Sequence, residues 1–145
     1  MEKIKFTADI NATKEKVWNV LWDKPSYEKW SRAFAPGSTV DTDWKVGSKV
    51  LFTDGKGSGM VSKIAEKREN EYMSFEHLGE VKDGVEDTTS DAVKIWAGSH
   101  ENYTLTDTGN GTRLEMEMDI SAEFKDMFMN MWPKAMDEIK RLSEN

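Results

Sequence analysis

The sequence contains no cysteine, which excludes disulfides, thiolate metal sites and a cysteine nucleophile. Histidine is nearly absent. His77 and His100 are the only two, they lie far apart, and neither belongs to a helical His-x-x-x-Glu pattern, so no zinc centre and no other cofactor is expected. No apolar run approaches the length of a membrane span. The start, Met1-Glu2-Lys3-Ile4-Lys5-Phe6, lacks the continuous apolar stretch of an export signal. The expectation is a cytoplasmic chain without integral membrane association. The Asn-x-Thr triplets at Asn11, Asn102 and Asn110 are then read as chance matches. Positive charge is in deficit: 20 Lys and Arg against 27 Asp and Glu give a formal charge of −7. Such a field repels phosphate, so nucleic acid is not an expected partner.

Several catalytic motifs are missing too. There is no Gly-x-Ser-x-Gly elbow, so a serine hydrolase has no support. Gly55, Gly57 and Gly59 are not followed by a helix opening on Lys-Ser/Thr, and they read as a hairpin turn rather than a phosphate loop. The acidic residues Glu80, Asp83, Glu86, Asp87 and Asp91 lack calcium-loop spacing and read as a solvated loop over residues 80–92.

What is present fits one domain, residues 1–145, with hydrophobic and charged residues in globular proportion at 37% and 32%. Ile4, Phe6, Ala8 and Ile10 alternate with polar residues, as in a strand with one buried face. Thr13 offers an N-cap to a short helix carrying Val17, Val20 and Leu21. Pro25 opens a second short helix with Tyr27, Trp30 and Phe34 on one side. From about residue 38 to 120 the pattern is strand and turn, with segments near 49–53, 60–66, 72–78, 95–106 and 113–120. Asn110-Gly111 marks the last hairpin. Phe124, Phe128, Met131, Ala135, Ile139 and Leu142 then define the stripe of a long helix capped by Ser121. Pro133 lies inside it and predicts a kink near 129–133, or else a break into two helices. The order argues for an α+β fold with helices on one face of an antiparallel sheet.

Five local features carry a resemblance along the whole chain. These are Ile10-Asn11-Ala12-Thr13 leading to Val17-Trp18, then Trp30, then Trp44-Lys45-Val46-Gly47-Ser48 before a Gly-rich hairpin. Tyr103-Thr104-Leu105 with Gly109-Asn110-Gly111-Thr112-Arg113-Leu114, and Trp132 with Leu142, complete the set. The sequence resembles the START-like superfamily (SRPBCC, Bet v 1-like), within it the branch similar to heat-shock-protein-90 ATPase activators. That resemblance implies a helix-grip fold, in which a seven-stranded curved antiparallel sheet wraps a long C-terminal helix and two short helices follow the first strand. It also implies a cavity between sheet and helix. Two departures fall near the expected mouth: Met131 stands where members commonly have Gly before the helix Trp, and the loop 80–92 is longer and more acidic.

Candidate cavity residues follow from the alternating faces. They are Phe52, Met73, Phe75 and His77, then Glu101 and Tyr103, then Met116 and Met118, with Phe124, Phe128, Met131, Trp132 and Met136 from the helix. Trp30 and Phe34 are placed near the entrance. A plain packed core is the competing reading for the aromatic and Met positions, because Met adapts to either. Glu101 decides more. Facing inward, it needs a partner such as His77; a register one residue away turns it to solvent. Three functions are carried forward. One is binding of a small hydrophobic or amphipathic molecule, such as a lipid or polyketide. Another is a cyclase- or hydratase-type enzyme using His77, Glu101 or Tyr103. The third is a chaperone-cofactor-like module with a protein partner.

Overall fold

The structure is a computed structural model describing residues 1–145. Its elements are β1 (Glu2–Ile10), α1 (Lys14–Trp22), α2 (Lys24–Trp30) continued by a 3-10 turn (Ser31–Ala33), β2 (Thr39–Asp41), β3 (Lys49–Thr53), β4 (Gly59–Arg68), β5 (Tyr72–Lys82), β6 (Val85–Asp87), α3 (Asp91–Lys94), β7 (His100–Asp107), β8 (Thr112–Ile120) and α4 (Ala122–Glu144). The sheet follows the order β1-β8-β7-β5-β4-β3-β2, antiparallel throughout, and β6 adds an eighth strand by pairing with β5.

The first and last strands show how the sequence sets the register. Ile4 lies opposite Met118 and Ala8 opposite Leu114. Leu114, Met116, Met118 and Ile120 are buried on the inner face of β8. On the outer face Lys5 meets Glu115 at 3.2 Å and Arg113 meets Asp9 at 2.8 Å. These exposed pairs add little stability, but a slip of one residue would bring apolar side chains out and charges in.

Thr13 caps α1, its Oγ1 accepting from the Lys16 N–H at 3.1 Å. Tyr27 and Trp30 of α2 are buried, and the Trp30 indole N–H donates to the Val20 and Leu21 carbonyls at the end of α1. The two short helices are thereby tied together under α4.

The long helix is unbroken through Pro133, so one helix, not two, closes the fold. Its burial is uneven. The expected stripe from Phe124 to Leu142 holds only in part: the buried residues are Trp132, Ala135, Met136, Ile139 and Ser143, all at or beyond position 132. Phe124, Met127 and Met129 are 43%, 42% and 45% exposed, and Met131 is half-buried. The apolar pattern continues along the helix, but only its second half finds a full set of partners.

Two further expectations need correction. Residues 80–92 are not a plain loop. β5 extends to Lys82, Asp83 and Gly84 turn the chain with positive φ, and β6 pairs back on β5. A short helical turn follows, where Ser90 Oγ accepts from the Val93 N–H and Val93 is buried. The strand expected from residue 95 therefore starts at His100. The segment between folds onto β5 differently: the Gly98 N–H donates to the His77 carbonyl and the His77 N–H donates to the Ser99 carbonyl. Local caps and turn chemistry here outweigh the apolar spacing of Ile95.

Candidate functional site

Two register irregularities interrupt the β4–β5 ladder, leaving Leu78 of β5 unpaired beside Val61 and Ser62 and Ala65 of β4 unpaired between Ile64 and Glu66. The first carries the pairing from Val61–Gly79 to Ser62–His77, so the Ser62 hydroxyl and the His77 ring lie across from one another on the inner face. On the other side of β5, Phe75 pairs with Glu101 and Met73 with Tyr103. Inward-facing residues of three adjacent strands thus meet.

They meet as a hydrogen-bonded chain. Ser62 Oγ lies 2.6 Å from His77 Nδ1, and His77 Nε2 lies 3.2 Å from Glu101 Oε1. The Tyr103 hydroxyl donates to the other carboxylate oxygen, Oε2. A carboxylate accepts, so Nε2 carries a proton, and in the neutral imidazole Nδ1 is then left to accept from Ser62. Burial, and after it the negative charge of Glu101, pushes the phenols of Tyr27 and Tyr103 above the ordinary tyrosine range. Both stay neutral, and Tyr103 stays a donor to Glu101.

Despite its members, this chain is not a hydrolase triad. Ser62 is 0% exposed and lines neither cavity described below, so no substrate carbonyl can reach it. The order runs the other way: Ser62 fixes the His77 tautomer, His77 holds one oxygen of Glu101, and Glu101 with Tyr103 forms the face presented to open space.

That space is a cavity of about 240 Å³ between sheet and helix. Its walls include Tyr27, Trp30, Phe34, Phe52, Met118, Phe128 and Trp132, with His77, Glu101 and Tyr103 on one side and Ser38, Asp54 and Ser58 from loops. A neighbouring cavity of about 260 Å³ reaches toward the start of α4 and is lined by Trp96, Phe124 and Met127 among others. Gly59, Met60, His77, Met118 and Phe128 border both. Gly59 cannot be replaced without moving the floor, because a Cβ there would lie 1.8 Å from the Phe52 carbonyl oxygen. Trp132 is 2% exposed, and its indole N–H has no acceptor.

Of the residues expected at a cavity, Trp30, Phe34, Phe52, His77, Glu101, Tyr103, Met118, Phe128 and Trp132 line the first and Phe124 the second. Trp30 belongs to the buried wall, at 2% exposure, and not to an entrance. Met73, Phe75, Met116, Met131 and Met136 line neither space. Met73, Phe75, Met116 and Met136 are buried core, with Phe75 edge-on to Phe52, Trp22 and Tyr103. Sequence reasoning missed Tyr27, Met60 and Ser62 at this site. Tyr27 carried a signal, the helical spacing to Trp30; Ser62 carried none, because only the bulge brings it to His77. No group of His, Asp and Glu side chains is arranged to hold a metal ion.

A curved antiparallel sheet closed by one long helix over an internal space defines a helix-grip protein. The chain belongs to the AHSA1 family, "Activator of Hsp90 ATPase homolog 1-like protein", whose family model matches residues 11–144. Solved structures agree on the fold. ChR145 from Cytophaga hutchinsonii is 21% identical with a TM-score of 0.73, covering 100% of this chain and 95% of that one. The Aha1 dimer from Colwellia psychrerythraea is 19% identical with a TM-score of 0.72, covering 99% and 97%. DynU16, from the dynemicin biosynthetic locus, is 12% identical with a TM-score of 0.71 and covers 97% of this chain but 46% of its own. No curated protein matches the sequence. No helix is long and apolar enough to cross a membrane.

Proposed function

We propose that the protein binds a compact amphipathic small molecule in the space between its sheet and α4. The observation that supports this reading most is the pairing of an aromatic-walled cavity with a single polar face, Glu101 and Tyr103, held in place from behind by His77 and Ser62. Binding sites share that composition: mostly apolar walls with a few oriented polar groups. An apolar cavity of about 150 Å³ holds one benzene ring, so about 240 Å³ suits a guest of on the order of ten non-hydrogen atoms. A long acyl chain would have to continue into the neighbouring cavity past Phe128 and Met118. Native mass spectrometry after incubation with a metabolite extract tests the reading. The expected outcome is a retained small molecule that Glu101→Leu loses. No retained mass under any gentle condition would refute it.

A second reading rests on the same convergence of His77, Glu101 and Tyr103. A carboxylate and a neutral phenol on one wall are a base and an acid within reach of one guest, as proton-transfer chemistry of the cyclase or hydratase kind requires. It predicts that the retained molecule is recovered chemically altered from the wild-type protein and unaltered from Glu101→Gln. A chaperone partner, in the sense of the family's name, stands behind both, because the polar chain has no part in it. Stimulation of an Hsp90 ATPase by the purified protein is its test.

A further inference from the structure

Resting on the reading of this cavity as a binding site, we propose that its guest is an organic cation: a compact ammonium-bearing molecule, with Glu101 as counter-charge and the rings of Tyr27, Trp30, Phe34 and Trp132 as its cage.

The sign of the charge carries the argument. No lysine or arginine lines the cavity; its ionisable groups besides the tyrosines are Glu101, Asp54 and His77. Both ring nitrogens of His77 are already engaged. The adjoining cavity adds Glu80 and Asp119, again without lysine or arginine; its one positive group is the amino terminus of Met1, a residue 61% exposed. A fatty acid or other anion would set its carboxylate beside that of Glu101 with no cation between them. A neutral guest would leave the Glu101 charge in a largely apolar site without compensation beyond two hydrogen bonds. A cation removes both problems. Each Glu101 oxygen accepts one protein hydrogen bond, and a carboxylate has about four lone-pair sites, so lone pairs remain free for a cation to approach.

The aromatic walls point the same way. Phe34 stands at 80° to Trp30 and 66° to Trp132, with centroids 6.5 and 4.9 Å apart. Tyr27 stands at 76° to Trp30 at 4.9 Å. Trp30 and Trp132 lie closer to parallel, at 34° with centroids 6.1 Å apart, so the four rings lining the space are not all edge-on to one another, and a ring face is where a quaternary or protonated nitrogen is attracted. Hydrophobicity alone would be served by aliphatic walls. Here aromatic rings surround the Glu101 carboxylate.

The test uses isosteric probes near the size of the cavity. Benzyltrimethylammonium and neopentylbenzene share a shape and differ by replacement of N⁺ with carbon; phenylacetate supplies the opposite charge. Binding to the purified full-length protein is measured by calorimetry. The expected result is that the cation binds at least about tenfold more tightly than its neutral isostere, and that phenylacetate does not bind. Glu101→Gln, with an unchanged melting temperature as its folding control, brings the cation and the isostere to within about threefold. Phe34→Leu, at a half-buried position and with the same melting-temperature control, weakens the cation severalfold and leaves the neutral probe unaffected. Equal or tighter binding of neopentylbenzene, or a preference untouched by Glu101→Gln, overturns the cation assignment while leaving the cavity a binding site. Failure of all three probes to bind overturns that reading as well.

Discussion

Replacing Ser62 by alanine removes one hydroxyl from a fully buried position and strands the His77 Nδ1 that it serves. The side-chain volume lost is that of a single oxygen, so packing contributes little. The hydrogen bond is worth about 0.5–1.5 kcal/mol net, and an acceptor left buried without a partner costs about 1–3 kcal/mol. The ring cannot escape by moving its proton to Nδ1, because Nε2 would then face a Glu101 oxygen with a lone pair on each side. The expected loss is therefore about 1–3 kcal/mol, read as a lower urea midpoint at unchanged slope, or a melting temperature lower by about 3–10 °C. Tryptophan fluorescence follows the transition, since Trp22, Trp30 and Trp132 lie in the core. The decisive comparison is made in a His77→Leu background. There the stranded group is the Ser62 hydroxyl itself, and Ser62→Ala removes it, so the same substitution becomes neutral or stabilising. If Ser62→Ala costs the same in both backgrounds to within about 0.5 kcal/mol, the two residues are not coupled and the chain ending at Glu101 does not act as a unit.

Other predictions concern the walls of the cavity. Tyr27 and Tyr103 have folded-state pKa values raised, first by burial and then by Glu101, so their contribution to stability is complete below the unfolded value near ~10 and is lost as pH rises above it. In a Tyr72→Phe variant, which leaves only these two tyrosines, ultraviolet absorbance should show their phenolates only together with unfolding; phenolate signal from an intact fold would contradict their burial. Gly59→Ala forces β3 and β4 apart at the Phe52 carbonyl and should cost about 1–3 kcal/mol, measured by urea unfolding, whereas an unchanged midpoint would show that the floor yields freely. Pro133→Ala returns an N–H to the Met129 carbonyl and removes the ring's clash, so amide exchange over residues 122–131 should slow several-fold; equal exchange in both proteins would mean that Pro133 does not govern this half of α4.

The strands with one clean alternating face were legible in advance. Leu114 to Ile120 and Ile4 to Ile10 face where their period of two places them, whereas the register of Glu101, which the sequence left open, is set by the pairing of β7. Helix starts at Thr13 and Pro25 were equally plain, because caps and proline act locally. The misses have a common physical origin. Ile95 reads as strand by composition, yet Ser90, Asp87 and the backbone of His77 capture the segment through hydrogen bonds that no periodicity records. Ser62 joins His77 only because of a register irregularity, a one-residue event in a strand whose pattern gives no warning. At the site, the residue types were readable and their division was not. Met73 and Met118 look alike in sequence, and only the curvature of the sheet puts one against the core and the other against open space.

The uneven burial of α4 separates two properties that a single rigid lid would bind together. Residues from Trp132 onward clamp the helix to the sheet and fix the depth of the chamber, whereas the turns carrying Phe124, Met127 and Phe128 close it while holding few buried contacts of their own. Opening that front section leaves the rear anchorage intact, so it lies at the low end of the free-energy scale for local unfolding. Under the proposed binding, how tightly a guest is held is a matter for Glu101 and the rings behind it, and how quickly guests exchange is a matter for the front turns, two quantities that substitutions can tune independently.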